Sequence, residues 1–219
     1  SFHEPTEFEK YLGTAEVWEN SENALREIAK ERNADYFEAP GEAAMYGPKL
    51  DFMAKDSLGR EHQVATIQLD MNLPERFDLT CINEDGQKER IVMIHCAIMG
   101  SIERFSAVLI EHLGGNFPLW LAPEQIHIIA VNEAHNEYAR ELFDALTAIG
   151  IRTVLDDSKE SMGKKIRRAK TARAPYFAVI GDTEVAAKEV TLEARDGTSE
   201  SLSLSQLGNK LTTETEAKA

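Results

Sequence analysis

The chain has 219 residues, enough at ~100–200 residues per domain for one large domain or two small ones. Apolar residues make up 42% and charged residues 28%, and no apolar run approaches the ~18–20 residues of a membrane span. That balance excludes a disordered tail, a collagen-like rod and a membrane protein. The formal net charge of −14 argues against nucleic acid as a partner, because phosphate binding needs local positive potential, but the charge is unevenly spread and most of the acidity sits in the first half. The first 119 residues hold 11 basic and 22 acidic side chains, whereas the remainder holds 13 and 16.

Residues 16–32 read as a helix: Val17, Ala24, Leu25, Ile28 and Ala29 share one face at the 3.6-residue period, and Thr14 is placed to cap it. Ala39-Pro40-Gly41 breaks the pattern. Residues 50–56 and 60–70 read as paired strands around the turn Ser57-Leu58-Gly59. Ile82 and 91–94 look like strand edges flanking Asn83-Glu84-Asp85-Gly86. Helical spacing returns from Gly100 to Leu113 and ends at Gly114-Gly115. Two prolines within 117–123 mark a junction, with domains expected at 1–119 and 120–219. Beyond it, strands at 126–131, 152–155, 176–180 and 190–193 alternate with helices at 133–149, 161–172 and 202–211. The fold class is therefore α+β followed by α/β, the second part a three-layer sandwich. The polar tail 212–219 reads as frayed. The acidic, aromatic start shows no signal peptide, and without an initiating Met it reads as a processed or truncated beginning. Cys81 and Cys96 form no CxxC or CxxH spacing, which suits a reducing cytoplasm.

Four stretches carry residues with chemistry. In Tyr46-Gly47-Pro48-Lys49, a turn holds a point charge suited to phosphate beside an amphipathic wall. The plain alternative is a hairpin turn with a surface lysine. On the strand Gln63–Asp70, Thr66, Gln68 and Asp70 share a face and make a floor for a polar ligand such as an amino acid or nucleotide. Otherwise it is a half-solvated strand. In the stretch 93–105, His95 is a candidate metal ligand at a strand end. Gly100-Ser101 opens a helix whose dipole, with Arg104, favours an anion. Alternatively, His95 packs and Arg104 is a surface salt-bridger. The run 164–173 holds six basic residues in ten and no acid. With Lys164, Lys165 and Arg168 close on one side of a helix, it suits a phosphate backbone, or is simply a solvated face.

Pro40–Phe52 and Thr66-Ile67-Gln68-Leu69-Asp70 followed by 73–77 resemble the catalytic signatures of threonyl-tRNA synthetases. Gly100–Phe105 resembles motif 3 of class II synthetases. Trp120-Leu121-Ala122-Pro123 resembles the entry to that family's anticodon-binding domain. The likeness runs through about residues 8–210. It implies part of a class II antiparallel sheet followed by an α/β anticodon-binding domain. The implied reaction is ATP-dependent activation of threonine and its transfer to tRNA. Lys49 and Arg104 would be catalytic, with Arg104 on the ATP phosphates. Gln63, Thr66 and Ser101 would line the site for ATP, which comes with Mg²⁺. Tyr46 and Gln68 would face threonine. Glu184 would read an anticodon base, and Lys164, Lys165, Arg167 and Arg168 would contact tRNA. His95 would be one of three ligands to a Zn²⁺ that holds threonine by its amino and hydroxyl groups.

Position 96 is Cys where the family usually has Arg. Glu193 and Lys159 replace an Arg and an Asn-like residue in the second domain. The other two zinc ligands and motifs 1 and 2 lie upstream of residue 1 in the family, which also forms homodimers. This implies an incomplete zinc site and little or no ligase activity for these 219 residues alone. The rival readings are a non-catalytic tRNA-binding module and a class II enzyme for another amino acid.

Overall fold

The computed structural model describes residues 1–70 and 72–218. The chain divides into two compact units, residues 1–112 and 113–219.

In the first unit, helix α1 (Ala15–Glu31) is capped as its sequence suggests, Thr14 Oγ1 accepting from Val17 N at 3.3 Å. Its buried face carries Trp18, Leu25 and Ala29. The Trp18 ring is tied down by Nε1–H donating to the Leu12 carbonyl at 2.7 Å, and it meets the rings of His3 and Tyr11. Strands β1 (Lys49–Lys55), β2 (Glu61–Asp70) and β5 (Met93–Ala97) form an antiparallel sheet in the order β1-β2-β5. Between β2 and β5 lie a short helix α2 (Leu73–Arg76) and a separate hairpin, β3 (Thr80–Ile82) with β4 (Lys88–Arg90). Asn83 closes the hairpin, its Oδ1 accepting from Asp85 N and Gln87 N at 3.1 and 2.8 Å. Helix α3 (Ile102–Leu113) follows the sheet.

The second unit is a five-stranded mixed sheet in the order β10-β9-β8-β6-β7. Its strands are β6 (Ile126–Ala130), β7 (Thr153–Asp156), β8 (Tyr176–Ile180), β9 (Glu189–Ala194) and β10 (Ser199–Ser203). β6 is parallel to both neighbours and wholly buried, which is why it reads as an unbroken apolar run. Helices α4 (Asn136–Ala148) and α7 (Leu204–Ala217) pack Leu142, Leu146, Leu207 and Leu211 against Ile126, Ile128 and Leu192. Helix α5 (Met162–Thr171) packs Ile166 and Ala169 against Ile129, Phe177 and Val179 on the other face. Because β-strand side chains alternate, Ile128 and Ile129 serve opposite cores, giving three layers. The short helix α6 (Asp182–Ala187) joins β8 to β9.

The stretch 117–123 lies inside the second unit. Leu119 and Ala122 are buried, and the carbonyls of Leu119 and Ala122 accept from Gln125 Nε2 and Arg152 Nε, each at 2.8 Å. The tail expected to fray is helical to Ala217, with Ala219 outside the described residues. Long-range bonds explain it: Gln125 Nε2 donates to Thr215 Oγ1 at 3.1 Å, and Tyr176 Oη donates to Glu214 Oε2 at 2.9 Å.

Candidate functional site

Strand register assembles the first cluster. Gln68 on β2 lies opposite Lys49 on β1 and His95 on β5, so the three side chains form one row across the sheet. Asp51 and Thr66 make the next row on the same face. A period of two would turn Gln63 to the other side. A bulge shifts the register between Phe52 and Met53, so that Phe52 faces Ala65 while Met53 faces Gln63. That restores Gln63 to the site face, where Nε2 donates to Asp51 Oδ1 at 2.6 Å and contacts Thr66 Oγ1. Thr66 Oγ1 donates to the same Asp51 oxygen at 2.7 Å.

The turn before β1 is locked onto β2. Gln68 Nε2 donates to the Gly47 carbonyl at 3.1 Å, and Asn72 Nδ2 donates to the Tyr46 carbonyl at 3.1 Å. This sets the Tyr46 ring edge-on to His95, with centroids 5.7 Å apart. Asp70 orients the imidazole: Oδ2 accepts from His95 Nε2 at 2.7 Å, while Oδ1 accepts from Asn72 N and Leu73 N at 2.9 and 3.0 Å. Burial opposes ionisation of Asp70, but these bonds outweigh it and hold the carboxyl below its ordinary range. Asp51 behaves alike: burial is outweighed by bonds from Lys49, Thr66 and Ser1. Lys49 and Asp51 form a half-buried ion pair.

Ser101 and Arg104 occupy the exposed start of α3. A β-carbon on Gly100 would stand 3.4 Å from the Val64 carbonyl oxygen and 3.6 Å from that of Gln63, so this helix begins against β2. Ser101 Oγ donates to Glu103 Oε2 at 2.7 Å and accepts from Arg104 N at 3.4 Å. The Arg104 guanidinium has no ion-pair partner among the described residues.

The residues present do not by themselves fit a zinc ion. His95 spends one ring nitrogen on Asp70, and both Asp70 oxygens are engaged. Among the described residues, no group of three His, Cys, Asp or Glu side chains is gathered as a metal needs.

The second cluster lies in the second unit. A cavity of about 220 Å³ is lined by Glu184, Thr191, Glu193, Phe177 and Val179. Glu184 is fixed there, Oε2 accepting from Gly181 N at 3.0 Å and Oε1 from Thr191 Oγ1 at 3.1 Å. The basic run divides. Lys164 and Arg167 are exposed. Arg168 pairs with Asp156 at 2.6 Å and also with Glu160. Lys165, expected beside Lys164 and Arg168 on an accessible side, is instead 1% exposed. It turns under the sheet and donates to the Ala130 carbonyl at 2.7 Å. A helix turns 100° per residue, so one lysine of an adjacent pair can face the core while the other faces water. Lys159 pairs with Glu133 at 2.8 Å and Glu193 with Lys170 at 3.3 Å. The sequence reading passed over Asp51, although its place two residues after Lys49 on a strand is the signal for a shared face.

A sheet with this polar row and an arginine-bearing helix, followed by a mixed-sheet sandwich, is the layout of a class II aminoacyl-tRNA synthetase core joined to an anticodon-binding domain. Residues 5–113 match the family model for the tRNA synthetase class II core domain (G, H, P, S and T), and residues 125–214 match the anticodon binding domain. Together the two models span most of the chain and mark it as class II aminoacyl-tRNA synthetase sequence, and the relatives it matches over its whole length are threonine–tRNA ligases. It is 48% identical over its whole length to a threonine–tRNA ligase of Prosthecochloris aestuarii, and 49% identical to that of Pelodictyon phaeoclathratiforme. It spans about a third (34%) of the length of each. It also superposes on the crystal structure of the RNA binding domain of threonyl-tRNA synthetase from Cryptosporidium parvum Iowa II. That match has a TM-score of 0.85 at 41% identity and covers 94% of this chain and 52% of the other. No helix among the described residues is long and apolar enough to cross a membrane.

Proposed function

We propose that these residues serve a threonine–tRNA ligase, with threonine, ATP carried with Mg²⁺, and the tRNA for threonine as substrates. The reaction joins a threonine carboxylate oxygen to the α-phosphorus of ATP as pyrophosphate leaves, and then moves the threonyl group to a terminal ribose hydroxyl of tRNA as AMP leaves. The Lys49–Gln68–His95 row carries this reading. Gln68 and Tyr46 orient threonine, and a site built around polar contacts rejects valine more strongly than an apolar pocket does. Lys49, held by Asp51, places positive charge where the α-phosphate gains negative charge as the adenylyl group is transferred. Arg104, which has no carboxylate partner among the described residues, takes the ATP phosphates, and Gln63, Thr66 and Ser101 line the ATP site. Glu184 accepts from the donor edge of an anticodon base, and Lys164, Arg167 and Arg168 meet the tRNA backbone.

A second reading, a non-catalytic tRNA-binding module, is favoured by His95, which stands without two further candidate metal ligands among the described residues. Binding of threonine and ATP, measured beside tRNA binding on the same chain, separates the two: the ligase reading requires all three ligands, the module tRNA alone. Little or no threonine-dependent ATP–pyrophosphate exchange together with tRNA binding is the expected result for the 219 residues. Exchange supported equally by valine or proline contradicts the threonine assignment.

A further inference from the structure

Beside the Glu184 cavity lies a second one, of about 380 Å³, with the opposite electrostatics: Lys170, Arg173 and Arg195 line it together with Asn116, Thr171 and Phe177. Phe177 borders both cavities. The two guanidiniums are unusual in so acidic a chain. Neither has a carboxylate partner among the described residues. Neutral acceptors hold them instead. An Arg173 amino group donates to Asn116 Oδ1 at 3.1 Å, and Arg195 donates to the carbonyls of Phe117 and Arg173 at 3.1 and 2.6 Å. Burial, and then the neighbouring Arg173, lower the affinity of Arg195 for its proton, as expected of two like charges held together.

The backbone points the same way. Arg173 closes helix α5 with φ +56°, a left-handed position that helices usually give to glycine. The Arg173 stem also runs against the chain at Gly115, where a β-carbon would come within 3.0 Å of its Cδ. A long cation is thus kept and aimed where a small residue is the easier choice. Each guanidinium offers five N–H donors, and most remain unspent.

We propose that Arg173 and Arg195 form a clamp for a phosphodiester group of the RNA strand whose base the Glu184 cavity receives. The proposal rests on the tRNA-binding reading above. The cavities divide the work that a nucleotide demands: carboxylates for a base edge on one side of Phe177, guanidiniums for its phosphate on the other. A free nucleoside is a poorer occupant, because Phe177 is buried and offers no open face for stacking.

The test is the salt dependence of threonine-tRNA binding to the 219-residue chain between about 50 and 200 mM KCl. Arg173→Gln is expected to weaken binding several-fold at low salt and to reduce the slope of log affinity against log salt by about 0.7–0.9. Arg195→Gln should act in the same direction as Arg173→Gln, while Arg195→Lys retains the charge and should keep the slope, covering the case in which Arg195→Gln fails to fold. Glu184→Gln should change the preference among anticodon bases with the slope unaltered. Inorganic phosphate at constant ionic strength should compete with tRNA. An unchanged slope in Arg173→Gln overturns the clamp alone. So does phosphate that binds without displacing tRNA, which assigns the cavity to a free anion. Failure of the wild-type chain to bind tRNA overturns the clamp and the tRNA-binding reading together.

Discussion

Gly47 lies directly against the carbonyl of Leu69: a β-carbon on Gly47 would stand 1.7 Å from that oxygen. The contact lets the Tyr46–Lys49 turn close onto β2 and brings Gln68 within bonding distance of the Gly47 carbonyl. Gly47→Ala must push backbone from backbone, since no flexible side chain is there to yield. The expected cost is about 3 kcal/mol or more, in the range reserved for specific steric failures. Urea unfolding of the variant measures it, and a midpoint within error of wild type contradicts the packing described.

The Asp70–His95 pair makes a pH-dependent prediction. Asp70 is depressed in the folded state, so its contribution to stability is present above its unfolded value of about 3.9. That contribution disappears as pH falls through the lower folded value. Asp70→Asn should lower stability by about 1–3 kcal/mol near neutral pH, because the buried acceptor of two backbone N–H groups and an imidazole is weakened. The difference from wild type should shrink steadily below about pH 4. Unfolding midpoints at a series of pH values follow it, and a gap that stays constant into acid contradicts the assignment.

At the far end of the chain, Tyr176→Phe removes the hydroxyl that binds Glu214 at 2.9 Å. The expected loss is about 1 kcal/mol, felt mainly in the last turns of α7. Hydrogen exchange of the amides at 211–217 should quicken while those of β6 stay protected. Equal exchange in both proteins removes this bond as the reason the tail is helical.

Burial of Lys165 separates it from its basic neighbours. Lys165→Met should leave the salt slope of tRNA binding unchanged, whereas Lys164→Ala and Arg167→Ala should each lower it by about 0.7–0.9. A fall in slope for Lys165→Met in a folded protein contradicts the inward orientation.

Much of this is legible in the sequence. Thr14 as a cap, the strands around Ser57-Leu58-Gly59 and the unbroken apolar β6 all rest on local rules of capping, turn chemistry and burial. Lys165 was not legible, because a periodicity argument over six cations cannot say which faces the core. Gln63 reached the site face through a bulge, which pattern alone does not reveal. The extension of α7 depends on Tyr176 and Gln125, residues distant in sequence. The partnering of Arg195 with the Phe117 and Arg173 carbonyls is equally non-local. Helix α6 is only six residues long and strand β10 carries a single apolar residue, so neither shows a periodicity.

Recognition of one tRNA is the most direct consequence of the two domains described. The 219-residue chain should bind the tRNA for threonine at least about tenfold more tightly than the same tRNA with a substituted anticodon, a difference of about 1.4 kcal/mol. Equal affinity for the two, measured at the same salt concentration, contradicts it.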